Sequence, residues 1–483
     1  MAKGRRVKPQ LLKGMQDAWP PLARGRQRML AVIAEVCERF GFLPFDTPVM
    51  EELEVLLGPE PTREQLAGVF HFTNHDGIDV GLRYELTGSL ARLVGQYQLE
   101  LARPFRRYQV GNAYRWDKPE PGRFREFLQF DVDIVGSASV AADAEIIAVI
   151  DAILKQLGID GYRIRLSNRK LLNALGQWVG ADPDQARSIY RVIDKLDRFD
   201  RERIRLELGP GLVDDSGDPI AGLGLSAEQI AGIDRFLDLP CAGDNPATLA
   251  AARELLQSSE LAQEGLDELA EMLPYAEAFG VEPAVIRADL HLARGLGYYT
   301  GPIFEVILTD LPGFGSIFGG GRYDELLERF LGRGQGLPAT GASVGVDRLL
   351  AALGELGRQD DTYASTQVLV TVMDRGRLAD YIAMVRELRA AGISAEAYLG
   401  GGNLARQLKY ADRLGIPLAV IAGEDEFARD EVSVKDLQLG RRIAAKAESR
   451  EEWQQLKQQS TVARGELTGA LTERLKDAEP GGD

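Results

Sequence analysis

Residues 105–136, FRRYQVGNAYRWDKPEPGRFREFLQFDVDIVG, contain two runs of alternating apolar and polar residues around a loop with two prolines and a glycine. A period of two is that of a strand with one buried face. The connection WDKPEPGRF is too long for a tight hairpin, so the segment predicts an antiparallel pair carrying a mobile functional loop. Short strands and turns continue this antiparallel pattern over about 68–140, with a helix in SLARLVGQYQLEL.

The rest of the chain sorts around this pair. Met29, Ile33, Val36 and Phe40 form one helical stripe stopped by Gly41, and the strand FLPFDTPVM holds Pro48, which suits an edge or a bulge. Residues 170–280 read as an inserted helical domain without matching strands, and strands return at YYTGPIFEVIL. Beyond a polar boundary near 354–366, strand and helix alternate as in a small α/β domain with a largely parallel sheet. The tail from about 450 is rich in Glu, Gln and Lys and is expected to fray. The division is 1–169 and 281–355 for an α+β catalytic domain on an antiparallel sheet, 170–280 for the insertion, 366–447 for the α/β domain and 450–483 for a flexible tail.

Chemistry is restricted by what is scarce. The 483 residues include two cysteines, Cys37 and Cys241, and three histidines, His71, His75 and His291, so neither a disulfide framework nor a His-rich metal site is expected. Both thiols read as packed, and His71 and His75 as exposed loop residues. The start is basic with no apolar run behind it, which fits the cytoplasm and no membrane span. A net charge of −16 argues against indiscriminate DNA binding, while Arg406, Lys409 and Arg413 form a candidate local basic patch.

Three constellations carry candidate chemistry. Gln129, Asp131 and Asp133 share one face of a strand, with Arg115 at the end of the preceding strand and Arg123 in the loop. Guanidinium groups fork onto phosphate oxygens, so this set suits a substrate with phosphate and amine groups; it equally fits a strand whose solvent face is ion-paired. In RGLGYYTGPIFE, Arg294 precedes Tyr298 and Tyr299, adjacent residues that on a strand face opposite ways. In GSIFGGGRYDELL and PATGASVGVDRLLAAL, glycines lead to Arg322 and then Arg348, either of which could grip a phosphate or stack on a base. No glycine run fits a P-loop or a dinucleotide-binding turn, so a nucleotide must be held another way.

The 105–136 segment resembles motif 2 of class II aminoacyl-tRNA synthetases, GASVGVDRLLAAL resembles motif 3, and the helix and strand over 22–50 resemble motif 1 more weakly. RGLGYYTGPIFE and GGGRYDELL are similar to the two signature stretches of histidyl-tRNA synthetases, and LRYELTGSLARLV to that family's amino-acid-binding segment. GGNLARQLKYADRLGIPLAVIAGEDE and EVSVKDL resemble its anticodon-binding domain. The resemblance runs from about Lys13 to Arg442.

It implies ligation of L-histidine to tRNA(His) through a histidyl-adenylate, with ATP as substrate, Mg²⁺ as its companion ion, and a homodimer. Arg115 would bind the α-phosphate, Arg123 and Arg348 the outer phosphates and adenine, and Arg294 would stabilise charge developing at the α-phosphate. Glu85 and Thr87 would receive the α-amino group, and Gln129 would lie near the carboxylate. Asp133 and Tyr299 would bond the imidazole, with Tyr298 beside them. The chain departs from the family at Gly297, usually acidic, and at Asp117 and Asp347, usually glutamates. A non-catalytic regulatory subunit of ATP phosphoribosyltransferase and a catalytically silent RNA-binding regulator are the rival readings; retention of Arg115, Arg123, Arg294 and Arg348 weighs against both, and the C-terminal α/β unit against the first.

Overall fold

The computed structural model describes residues 7–119, 124–197, 199–213, 217–240, 244–293, 298–332, 334, 336–358, 365–438 and 459–478. The chain divides into two compact units, residues 1–17 with 26–359, and residues 18–25 with 360–483.

Helix α1, Pro20–Arg39, buries Met29, Ile33, Val36 and Cys37. Its stripe stops short of Phe40, which lies outside the helix and is partly exposed; the chain turns at Gly41 (φ +78°) and Phe42 is buried instead. The main sheet comprises β1 (Leu43–Pro44), β2 (Phe105–Tyr114), β3 (Glu126–Val135), β4 (Tyr162–Asn168), β5 (Ile286–Ala288), β6 (Pro302–Leu308), β7 (Ser316–Arg322) and β8 (Ala339–Gly345). They lie in the order β1-β2-β3-β8-β7-β6-β4-β5. The pairings are antiparallel except β1 with β2 and β4 with β5 at the two edges.

Directly opposed residues of a ladder point to the same face. On β3, Gln129 is opposed by Gly111 and Gly345, Asp131 by Gln109 and Ser343, and Asp133 by Arg107 and Gly341. One sheet face is therefore polar across β2, β3 and β8. The other face carries Phe130, Val132, Ile134 and Val344 beneath helix α3 (Val140–Gln156), whose Ile146, Ile147 and Ile150 are fully buried. Closing this apolar layer fixes the register, because a slip of one residue would turn the carboxylates into it.

Beside the sheet, Met50–Glu52, Asp79–Leu82 and His71–Thr73 form a three-stranded sheet. His71 thus stands exposed on a strand and not in a loop, whereas His75 is exposed in the turn that follows. Helix α2, Thr87–Gln96, starts right after Glu85. Over 170–280 the chain is helical as expected, but Gly211–Val213 and Pro219–Ala221 pair as a hairpin, so a strandless insertion is wrong. Gly211 lies at φ +92°, where a Cβ would sit 2.4 Å from the Ile220 carbonyl oxygen; glycine makes this close pairing feasible.

The second unit orders its strands as Ala395–Ala397, Val368–Val370, Leu418–Ile421, Glu431–Asp436 and Gln459–Ala463. The first three are parallel and the last two pairings antiparallel, so a largely parallel sheet holds for only half of it. The expectation of a fraying tail from 450 also fails over 459–478. Gln459–Ala463 completes the sheet, and helix Leu467–Ala478 drives Leu467 and Leu471 into a core with Val368, Tyr381, Leu388 and Val420. Leu467 and Leu471, one turn apart, with Leu475 a further turn on, form the apolar stripe that seats this helix.

Candidate active site

A cleft of about 750 Å³ opens over the polar face of the main sheet, within the range of small-molecule sites. Of the residues singled out in the sequence, Arg115, Gln129, Tyr299 and Arg348 line it, together with Asp117 and Asp347. Arg123, Arg294, Gly297 and Cys241 lie outside the described residues. The structure adds lining residues that pattern reading missed: Ser343 on β8, and Tyr190, Arg191 and Asp194 from the helical insertion. No local signal marks these, because only the tertiary fold brings the insertion to the cleft.

One end is cationic. Arg115 Nε donates to the Tyr84 carbonyl at 2.9 Å, and its guanidinium lies over the Phe127 ring at 5.1 Å. Arg348, in helix α4 (Val346–Glu355), donates to the Ser316 carbonyl at 2.7 Å. Both are thereby aimed before any ligand arrives, which lowers the entropy cost of gripping an anion. Asp347 does not enter this grip: it accepts from Arg26 at 2.8 Å and from the Leu128 N–H at 3.1 Å, tying α1 and β3 to α4.

Glu85, Thr87, Asp131, Asp133 and Tyr298 are not among the residues that line the cleft; Glu85, Asp131, Asp133 and Tyr298 gather next to Tyr299, which does. Glu85 is buried, its two oxygens accepting from the Thr87 and Gly88 N–H groups at 2.7 and 2.6 Å. The N-terminus of α2 holds that carboxylate in place. Thr87 meets the Tyr298 hydroxyl at 3.5 Å. Tyr298 and Tyr299 both precede β6 and do not alternate across it; their rings pack together at 5.0 Å, against the core cluster around Leu90 and Tyr323.

On β3, Gln129 donates to the Ser343 hydroxyl at 2.7 Å, but its Oε1 is buried without a hydrogen-bond partner, and so is Asp131 Oδ1. Asp133 accepts from the Tyr323 hydroxyl at Oδ1 (2.5 Å) and is ion-paired with Arg107, 2.9 Å from Oδ2, but Oδ2 too is buried without a hydrogen bond. Native interiors rarely leave such acceptors unpaired, and Gln129, which lines the cleft, can offer its open oxygen to a donor-bearing ligand. Glycines make room for these groups, since a Cβ at Gly341 would come 2.0 Å from Asp133 Oδ1.

Burial pushes the Asp131 carboxyl up to about 7, with Asp133 and Glu85 adding repulsion and Arg107 and the Ser343 hydroxyl opposing it. Burial also raises Tyr299, and Asp131 and Asp133 repel its ionised form. A carboxyl raised in the folded state holds a proton that the unfolded chain has lost, so its contribution to stability falls as pH rises through that interval. Without substrates, Asp131→Asn is therefore expected to melt at a higher temperature than the parent at pH 8, with the gap closing toward pH 5. Thermal unfolding at the two pH values reads this, and a parent more stable at both would refute the assignment.

The arginine expected at the glycine run behaves differently. Arg322 leaves the cleft and is buried on the opposite face of the sheet, bonded to Asp143 of α3 and to the Ser137 and Ser139 carbonyls. The expectation that it grips a phosphate or a base is corrected: β7 alternates, and Arg322 opposes Thr340, which shares the buried face with Ile134.

Among the described residues no helix is long and apolar enough to cross a membrane. Arg406, Lys409 and Arg413 lie exposed along helix Leu404–Leu414 of the second unit.

Comparison with known proteins agrees with this geometry. Residues 14–349 match the family described as histidyl-tRNA synthetase, and residues 367–473 match an anticodon binding domain. The chain is 46% identical to a histidine–tRNA ligase of Paracoccus denitrificans, covering 96% of this chain and 97% of the relative. It is 45% identical to one from Cereibacter sphaeroides, covering 98% of each. Among solved structures, the histidyl-tRNA synthetase of Nostoc sp. PCC 7120 superposes with a TM-score of 0.77 at 28% identity, over 97% of this chain and all of that one.

Proposed function

The chain belongs to the histidyl-tRNA synthetase family, and on that premise we propose that it joins L-histidine to tRNA(His) at the expense of ATP, through a histidyl-adenylate. The observation that carries this reading is a cleft lined by Arg115 and Arg348 and, on the same sheet face, by Gln129 with its unpaired buried oxygen. The histidine carboxylate attacks the α-phosphorus of ATP, forming the acyl–phosphate bond while the bond to pyrophosphate breaks. A ribose hydroxyl of the tRNA then displaces AMP. Neither step needs a protein nucleophile; both need positioning and neutralisation of charge on phosphate, which preset arginines supply.

In this reading Arg115 grips the α-phosphate, and Arg348 with Arg123 the outer phosphates and the adenine. Arg294 joins them at the reacting phosphate. Glu85 and Thr87 take the α-ammonium, Gln129 lies near the carboxylate, and Asp133, Tyr298 and Tyr299 stand at the imidazole end. Mg²⁺ enters as the cation of the ATP substrate: of the cleft carboxylates, Glu305 is ion-paired with Arg165 at 2.7 Å and Asp347 with Arg26 at 2.8 Å. The second unit contributes tRNA binding, with the Arg406, Lys409 and Arg413 face as a phosphate-contacting surface. A homodimer and a cytoplasmic location complete the proposal; sedimentation velocity reads the first.

The floor of the cleft offers a direct check. A Cβ at Gly319 would meet nothing within 4 Å, so a side chain there projects into the cleft without disturbing the fold. Gly319→Val is expected to keep the melting temperature near that of the parent while lowering kcat/KM for adenylate formation by about tenfold or more, a change of about 1.4 kcal/mol.

The test of the full reaction is charging of total tRNA with labelled histidine by the intact chain. Histidine accepted into acid-stable, base-labile ester on tRNA is the expected result. No charging, together with stimulation of an ATP phosphoribosyltransferase, would favour the regulatory reading, to which a match over 367–473 with an anticodon binding domain is opposed.

A further inference from the structure

Arg169 follows β4 directly and opens helix Arg169–Trp178; it is only 3% exposed and stands beside the cleft without lining it. Burying a guanidinium is costly, so the groups around it carry information. They come from two distant parts of the chain. The guanidinium lies over the Tyr190 ring at 4.8 Å, and Tyr190 belongs to helix Pro183–Ile193 of the insertion. The Arg169 N–H donates to the Gly301 carbonyl at 2.8 Å, two residues beyond Tyr299. Burial holds the guanidinium below the usual arginine range, with Tyr190, Tyr299 and Asp194 near enough to favour its charged form. Tyr190, Tyr299 and Asp194 all line the cleft.

Resting on the synthetase reading, we propose that Arg169 is a positioning residue for histidine: it locks the insertion helix that carries Tyr190 to the turn that carries Tyr299, so that the two walls of the cleft are set together.

The chemistry of the group suits this task. A guanidinium offers a planar face to a ring and N–H edges to oxygen acceptors, so one side chain can fix several neighbours at once, which an ammonium cannot. The helix it opens is also tightly joined to the insertion helix. A Cβ at Gly176 would come 2.4 Å from the Ala186 Cβ, so the two helices touch there, and the stack of Arg169 on Tyr190 is their contact beside the cleft. A cleft built from segments about a hundred residues apart is only as precise as the link between them, and a misplaced wall raises the cost of ordering the ligand.

Histidine-dependent ATP–pyrophosphate exchange is measured for the parent, Arg169→Met, Tyr190→Leu and the double variant, with KM for histidine and for ATP and the melting temperature in parallel. Methionine fills the volume without the charge or the planar face. Arg169→Met is expected to raise KM for histidine about tenfold. KM for ATP should stay within about twofold, because Arg115 and Arg348 are fixed through the Tyr84 and Ser316 carbonyls, which Arg169 does not touch. Since the arginine acts through Tyr190, the double variant should rise no further than the larger single effect. Equal rises in both KM values that track a lower melting temperature make Arg169 a scaffold residue and overturn the proposal. So does an unchanged histidine KM, or a double variant in which the two effects multiply. If Arg169→Met fails to fold, Arg169→Lys decides: it keeps the charge but not the planar face, so a selective rise in histidine KM supports the proposal and an unchanged value overturns it. A parent without histidine-dependent exchange overturns the synthetase reading, and the inference with it.

Discussion

Arg115→Ala is expected to lower kcat/KM for histidine-dependent pyrophosphate exchange by about 10³-fold, equivalent to about 4 kcal/mol of lost transition-state stabilisation. Arg115 is fixed on both sides, by the Tyr84 carbonyl and by the Phe127 ring, so its charge reaches the phosphate without reorganisation. Arg115→Lys should recover little, because an ammonium cannot reproduce a bidentate fork and would lose the ring contact. The melting temperature should barely move, since the group is only partly buried and forms no ion pair among the described residues. Loss of activity in parallel with loss of folded protein would assign Arg115 to the scaffold instead.

The largest effect on stability is expected at the opposite face of the sheet. Arg322→Ala leaves Asp143 without its counter-charge in a site where the two side chains are 4% and 0% exposed, at an expected loss of about 3–5 kcal/mol. It also strands the Ser137 and Ser139 carbonyls that Arg322 caps. Burial already pushes the Asp143 carboxyl up to about 6 with Arg322 present, so without the arginine it takes a proton more readily. The loss should therefore be greater at pH 8 than at pH 5.5. Urea unfolding at both values measures it; a loss below about 1 kcal/mol at pH 8 would mean that the pair is not a structural clamp between β7 and α3.

How far these roles could be read from the sequence depends on the range of the interaction that sets them. The two alternating runs over 105–136 located β2 and β3, and period two placed Gln129, Asp131 and Asp133 on one face. These are local rules of backbone geometry. What these carboxylates meet is not local: Arg107 and Tyr323 reach Asp133 from β2 and from beyond β7. Arg322 and Arg348 looked alike, each following a glycine-rich stretch, yet alternation along β7 turns the first into the core while the first turn of α4 keeps the second at the cleft.

Composition misled at the C-terminus. Glu, Gln and Lys dominate the stretch after 450, but Leu467 and Leu471 are enough to dock the last helix once Gln459–Ala463 has joined the sheet. Net charge was similarly blunt. The chain is acidic at −16, whereas the three basic residues of helix Leu404–Leu414 occupy a single exposed face.

The central claim, that this cleft activates histidine with ATP, is tested most directly by ATP–pyrophosphate exchange with purified protein, Mg²⁺ and each of the amino acids in turn. The account predicts exchange with histidine and none above background with the others. Exchange with a different amino acid, or none from folded protein that still binds histidine, would contradict it.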